Sequence, residues 1–360
     1  MTQRLTLDVL ALILEQLAEN KPRILEIAIL GKDAYSLALP ILYHSNNFPV
    51  LKKALHFCSA ILHHSKSPGR FVQRLHLQVP FWATPSSPLT PDASVFELIR
   101  MSLHQMPNLQ ELSLFGLSLF NQINLSNCPF KLKYLLITPP TNEHVARLIC
   151  NQPTIVELNL ASFTFSHTCV NADHFLGPGL LPHLNTLTAC PKLVGFLAPG
   201  RPVEHVFIQI CSAHLLNEVD ILADIASLDQ TTTPIKSLYV DLDGHSKFSG
   251  WNFIEHLKST KVPSCLVCLT IKANLLDFAR QQANNPSYLN RIAQLLQGFA
   301  SLRHFEVEEA IQGVIEEQPA AHDIIDMMFA VLERQIDIGA LWRQNCPSLT
   351  SVKLFDRSIF

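Results

Sequence analysis

Ten times along the chain the same apolar spacing returns: an apolar residue, two others, an apolar residue, one other, an apolar residue. The instances are Val72-Leu75-Leu77, Leu109-Leu112-Leu114, Leu132-Leu135-Ile137, Ile155-Leu158-Leu160 and Leu184-Leu187-Ala189. They continue with Val203-Val206-Ile208, Ile235-Leu238-Val240, Leu266-Leu269-Ile271, Leu302-Phe305-Val307 and Leu349-Val352-Leu354. Successive units start 19 to 47 residues apart, and a Pro-x-Leu opening marks Leu109, Leu184 and Leu349. The last two positions of each unit alternate, as a strand with one buried face requires. A recurrence of this length is a repeat architecture, because one unit alone cannot bury its apolar edge and a stack can.

Between the units lie segments with helical spacing, at residues 95–106, 143–151, 215–228, 289–299 and 322–343. In the last, Ile324, Met328, Val331, Gln335, Ile338 and Trp342 step by three or four residues. Strand, helix and strand at this interval predict a parallel sheet with helices on one face. The fold class expected is therefore α/β. A doubly wound α/β fold shares the strand pattern, but ten parallel strands without glycine loops do not suit it. Glycine is scarce, at 12 residues against 23 prolines.

The 360 residues are 48% hydrophobic, which excludes a mainly disordered chain. Charged residues make up only 16%, against roughly 25% in an ordinary soluble domain. Few charges mean either little surface to decorate per residue or a surface partly covered by a partner. The net charge of −3 excludes a dominant attraction to nucleic acid, which needs a basic excess. No run of 18 uncharged apolar residues offers a membrane span. The apolar stretch 7–18 carries Asp8 and Glu15, unlike a signal peptide. Nine scattered cysteines then read as reduced thiols of an intracellular protein, cytoplasmic or nuclear.

Residues 1–48 lack the repeat and form a separate unit from 49–360. Three short helices are predicted, at 7–17, 23–30 and 32–43, with Thr6 as first N-cap and Asp8 in the first turn. Pro40 is expected to distort the third helix or end its regular part. Leu7, Leu10, Leu14 and Leu17 make one stripe, and Val9, Leu12 and Ile13 carry apolar surface beyond it. A polar-faced cap for the repeats is the simplest role for such a unit. These helices are too apolar for that role alone, which points to a partner.

The first helix region, Leu5-Thr6-Leu7-Asp8-Val9-Leu10 and then Ile13-Leu14-Glu15-Gln16-Leu17, resembles an F-box. So do Arg23-Ile24-Leu25-Glu26-Ile27-Ala28, Gly31-Lys32 and Leu37-Ala38-Leu39-Pro40-Ile41-Leu42-Tyr43. Thr6 stands where the F-box usually has proline, and Tyr35 lies near the place of its usual tryptophan. The repeats are similar to irregular leucine-rich repeats, with the usual asparagine absent from most units. Together the chain resembles F-box proteins of the fungal leucine-rich-repeat type. That resemblance implies a substrate-recognition subunit of a cullin-RING ubiquitin ligase. A Skp-type adaptor, and through it a cullin, would dock on Leu5, Leu7, Val9, Leu10, Ile13, Leu14, Leu17, Ile24 and Leu25. The repeats would present a concave sheet and rim loops to a target protein. The alternative is a leucine-rich-repeat scaffold whose N-terminal helices only cap the array, and a hydrolase on an α/β sheet comes third.

Signs of chemistry are weak. Cys265-Leu266-Val267-Cys268 has half-zinc-site spacing without a second pair, and both cysteines are read as strand residues flanking the ladder. His63-His64, with His56 and Cys58 upstream, lacks metalloprotease spacing and reads as a solvated helix end. Asp241-Leu242-Asp243-Gly244 opens like a calcium loop, but Asn252 stands at its twelfth position. Gly177-Pro178-Gly179 reads as a turn, and no serine sits in a nucleophile elbow. Neither catalysis, metal nor cofactor is expected. The proline-rich stretch 80–91 is a stiff loop whose Phe81 and Trp82 are candidate target anchors. Residues 195–202 and 231–234 are read as lesser rim loops.

Overall fold

The structure is a computed structural model and describes residues 6–64, 67–78, 93–115, 124–125, 127–137, 143–160, 179–210, 218–242, 250–285, 287–309, 326, 329–330, 333, 337–355 and 357–360. It divides into two compact units, Met1–Val156 and Glu157–Phe360.

The first unit opens with helices α1 (Leu7–Gln16), α2 (Lys21–Ala28) and α3 (Lys32–His44). Strand β1 (Ser45–Phe48), α4 (Leu51–His63), β2 (Arg74–Gln78), α5 (Ala93–His104), β3 (Glu111–Phe115), β4 (Tyr134–Ile137) and α6 (Glu143–Cys150) follow. Leu14, Ile24, Ala28 and Ala38 make a closed core where α1, α2 and α3 meet. Thr6 does hold the N-cap position of α1, but its hydroxyl makes no capping bond. Pro40 does not end α3: the helix continues to His44, with Ile41 and Leu42 packed on the core. A 3₁₀ turn, Pro68–Phe71, leads into β2. There Gly69 lies so close to the Gln105 backbone carbonyl that no Cβ would fit.

The second unit carries β5 (Glu157–Asn159), β6 (Thr186–Ala189), α7 (Pro191–Leu197), β7 (His205–Ile210), α8 (Glu218–Ala226) and β8 (Ser237–Leu242). Next come α9 (Gly250–Leu257), α10 (Val262–Cys265), β9 (Cys268–Ala273), α11 (Leu275–Asn284), α12 (Tyr288–Leu295) and β10 (His304–Glu309). The helix Ile338–Asn345 and strands β11 (Ser351–Leu354) and β12 (Arg357–Ser358) complete it.

Within each unit the strands pair in chain order, and all described pairs are parallel except β11–β12. Register places like on like. Leu75, Leu112 and Leu135 are partners in the first unit. In the second, Leu158, Leu187, Val206, Leu238, Leu269, Phe305 and Val352 form one unbroken row. All thirty ladder side chains are at most 5% exposed. Helix stripes add to the buried core of each unit, Phe96, Ile99 and Leu103 in the first and Leu289, Ile292, Ala293 and Leu296 in the second. The α/β fold, with N-terminal helices and then parallel strands alternating with helices, is of the leucine-rich-repeat-like kind.

Successive units are tied by backbone at the start of each strand. The carbonyl just before a strand accepts two amides from the next unit. Gln110 binds Lys133 and Tyr134 at 2.8 and 3.1 Å, Glu204 binds Lys236 and Ser237 at 2.8 and 3.1 Å, and Lys236 binds Val267 and Cys268 at 2.8 and 3.0 Å. Val267 and Arg303 do the same for the two units after them. These residues share no side-chain type, because only their main chain is used.

Three further expectations change. The stretch 195–202 is not simply a loop: α7 runs to Leu197, and buried Arg201 closes its C-terminal end. The Arg201 Nη1 atom donates to the carbonyls of Phe196, Leu197 and Pro199 at 3.1, 2.9 and 3.1 Å. Cations and donors belong at that end of a helix, where carbonyls lack partners. The predicted helix 322–343 is not continuous. Asp337 has non-helical backbone, and its side chain caps Ala340 N at 2.8 Å, so a new helix starts at Ile338. Finally, Cys265 ends α10 and only Cys268 is in a strand, so the pair does not flank the ladder within one strand.

Candidate protein-interaction surfaces

Two surfaces stand out, one on the N-terminal helices and one on the strands. On α1, Leu10, Leu14 and Leu17 turn to the bundle core. Val9, Leu12, Ile13 and Gln16 fall at i, i+3, i+4 and i+7, a second stripe rotated away from the first. Its three apolar members are all exposed, as is Leu7. On α2, Ile24 and Ala28 face the core, while Leu25 and Ile29 lie four residues apart on an outer face. Leu12 at 61%, Ile29 at 82% and Leu30 at 79% are the most exposed large apolar side chains of the described residues.

The expected adaptor-binding set therefore separates. Leu7, Val9, Ile13 and Leu25 are outside, Leu10 and Leu17 are half-buried, and Leu14 and Ile24 are fully enclosed. Leu5, Phe81 and Trp82 lie outside the described residues. Leu12, Ile29 and Leu30 were not in the set. The i, i+3, i+4 spacing of Val9, Leu12 and Ile13 could have found the first and the i, i+4 spacing of Leu25 and Ile29 the second, whereas Leu30 carried no periodic signal.

The same helices also close the first strand. The Lys21 ammonium donates to the Ser45 carbonyl and to Asn46 Oδ1, the latter at 3.2 Å. Asn46 occupies a ladder position beside Leu75 and is buried, with its amide donated to the Tyr43 carbonyl at 2.7 Å. The Tyr35 hydroxyl and His64 Nε2 share a hydrogen bond of 2.8 Å, tying α3 to the end of α4. His63 is exposed, as a helix-end reading expects.

The strand face opposite the ladder is mostly polar, with Leu136, Phe207 and Tyr239 among its members. In the first unit, Arg74 pairs with Glu111 at 3.1 Å, and His76 lies beside Ser113 in the next row. Burial lowers the pKa of His76, Glu111 raises it in part and Arg74 lowers it. In the second unit, Asp241 and Lys272 are register partners 3.3 Å apart, and Glu306 and Lys353 are register partners 3.5 Å apart. The Asp241–Lys272 pair is half-buried, whereas the more exposed Glu306–Lys353 and Arg74–Glu111 pairs contribute little stability. Near the N-terminal ends of β8 and β9, residues 231–234 line a recess of about 380 Å³ with Asp229, Lys261 and Cys265.

No family model matches the chain, and no curated protein matches its sequence. What the chain shares with leucine-rich-repeat proteins is its architecture. No disulfide joins any two of the seven described cysteines, and no three of the described His, Cys, Asp and Glu residues group as a metal site. No helix of the described residues is long and apolar enough to cross a membrane. A repeat-like α/β fold with an exposed apolar helix surface suggests a protein-interaction scaffold.

Proposed function

We propose that the chain is the target-receptor subunit of a cullin-RING ubiquitin ligase. Its N-terminal helices dock a Skp-type adaptor, and its repeats hold a protein target. The observation that carries this reading is the second apolar stripe of α1, left outside a bundle whose own core is already closed. A helix with two apolar stripes and one intramolecular partner has a face for another protein. In this reading the ligation chemistry belongs to other subunits, and this chain contributes proximity and orientation.

The second reading is a repeat scaffold without ligase association. It draws on the contacts of Lys21 with Ser45 and Asn46, which make the helices a cap over the edge of β1. The two readings part at the exposed stripe, which a cap does not need. The test is co-purification of the full chain with the adaptor, compared with the Leu12→Glu, Ile13→Glu variant. Leu12 and Ile13 are chosen over Leu14, whose enclosure would confuse lost docking with lost folding. Capture by the parent chain, lost in a variant with the same unfolding midpoint, is the expected outcome. No capture by the parent chain, or full capture by the variant, leaves the scaffold.

A further inference from the structure

Among the described residues of the second unit, Phe207 alone of the large apolar side chains is classed as exposed, at 38%. It stands on β7 in a row that is otherwise Asn159, Thr188, Tyr239, Thr270, Glu306 and Lys353. Its ring stacks on that of its register partner Tyr239, with centroids 4.9 Å apart and planes 25° apart. The Tyr239 hydroxyl in turn donates to Glu308 Oε2 at 2.7 Å, reaching over β9 to β10. One aromatic pair is thus joined to one carboxylate.

The charges around the pair are unequal. Asp241, Glu306 and Glu308 are set against Lys272 and Lys353 on this face. Lys272 is held by Asp241, and Lys353 lies at the margin beside Glu306. Glu308 stands opposite Lys272 in register, but the Lys272 ammonium is on Asp241; among the described residues no cation pairs with Glu308, and its Oε1 has no hydrogen-bond partner. Burial first, and then the carboxylates of Glu308, Asp241 and Glu306, raise the Tyr239 pKa. A proline or leucine of a partner would cover Phe207 but leave that carboxylate unpaired. A carboxylate of a partner would be repelled.

We propose that Phe207, Tyr239 and Glu308 bind an arginine side chain carried by an extended segment of a partner protein. A guanidinium is flat enough to lie on the aromatic pair and presents N–H donors to Glu308 in a fixed fork. In an extended segment alternate side chains point one way, which leaves every second residue to face the sheet. The proposal rests on the reading of the repeats as the target-binding module, and it gives the target a chemistry.

The probe is a fluorescently labelled eight-residue peptide of alternating serine and arginine. Its control is the same peptide with citrulline, which keeps the shape and removes the charge. Binding to the full chain is followed by anisotropy. The arginine peptide should bind at least about tenfold tighter than the citrulline peptide, as a desolvated cation–π and carboxylate contact requires. Glu308→Gln and Phe207→Ser should each weaken it by about tenfold. Glutamine can still accept the Tyr239 hydroxyl, so the first variant changes the charge and leaves that bond. Equal binding of the two peptides overturns the proposal, and so does undiminished binding by both variants. Adaptor capture by the same proteins keeps the two ideas apart. Arginine selectivity in a chain that captures no adaptor removes the ligase reading and leaves this one. Capture without arginine selectivity does the reverse.

Discussion

The strand ladder and the N-terminal helices use the same residues, leucine and isoleucine above all, and leave them in opposite states. The ladder side chains on the strands are flanked by their register partners, and all thirty ladder positions are interior. Helices α1 and α2 enclose Leu14, Ile24 and Ala28 but leave Val9, Leu12, Ile13, Leu25 and Ile29 in water. The difference is one of supply. A stacked strand brings a neighbour on either side, and that neighbour repeats its spacing. A three-helix unit has only two other helices to offer, too few to cover an α1 that is apolar on more than one side. Apolar excess in the repeats is buried as core, whereas on α1 part of it stays exposed.

The largest effect expected from this comparison is in the ladder. Leu238 sits between Val206 and Leu269 with no exposure. Leu238→Ala should cost about 2–5 kcal/mol in chemical denaturation, as other large-to-small core changes do. Ser237→Ala, one residue away on the open face, should cost within about 0.5 kcal/mol. Equal losses at the two positions would break the assignment of faces.

The spacing of Leu, Ile and Val is enough to place all ten ladder units, because burial of one strand face demands alternation. Strand β1 escapes that logic. Its sequence, Ser-Asn-Asn-Phe, puts Asn46 where the other strands have an aliphatic residue. Asn46 is admitted there only because Lys21 and the Tyr43 carbonyl satisfy its amide, and both come from elsewhere in the fold. The paired-amide carbonyls at Gln110, Glu204 and Lys236 are equally silent, since a main-chain device leaves no residue signature. At the candidate surfaces the reading was partial. Periodicity shows that α1 has two apolar stripes, but not which one the bundle takes, so Leu14 and Ile13 looked alike. Phe207 and Tyr239 meet only through the register of β7 with β8.

An intermediate effect separates the two faces of the first unit by pH. Burial holds the pKa of His76 below its ordinary value. A histidine whose folded pKa is depressed favours the folded state while it is neutral, above its unfolded pKa of about 6.5. That contribution is lost as pH falls from there through the lower folded value. The unfolding midpoint of the parent chain should therefore fall with pH below about 6.5 by more than that of His76→Gln. Leu75→Ala, on the ladder face, should instead be shifted by the same amount at every pH. A pH slope unchanged in His76→Gln would mean that His76 is solvated in the folded chain.

The smallest effect is the most telling for the helices. If the outer stripe of α1 and the outer face of α2 await a partner, the isolated chain gains nothing from their apolar character. Leu12→Gln and Ile29→Gln should each change stability by no more than about 0.5 kcal/mol, the range of an exposed substitution. Glutamine is a helix former as good as leucine, so propensity does not disturb the result at Leu12. The paired control is Leu14→Ala, which shares α1 with Leu12 and should cost several-fold more. A loss of more than about 1 kcal/mol at Leu12 or Ile29 would show that another part of the chain covers them in solution. The apolar excess would then be internal packing, and the contrast between the two regions would disappear.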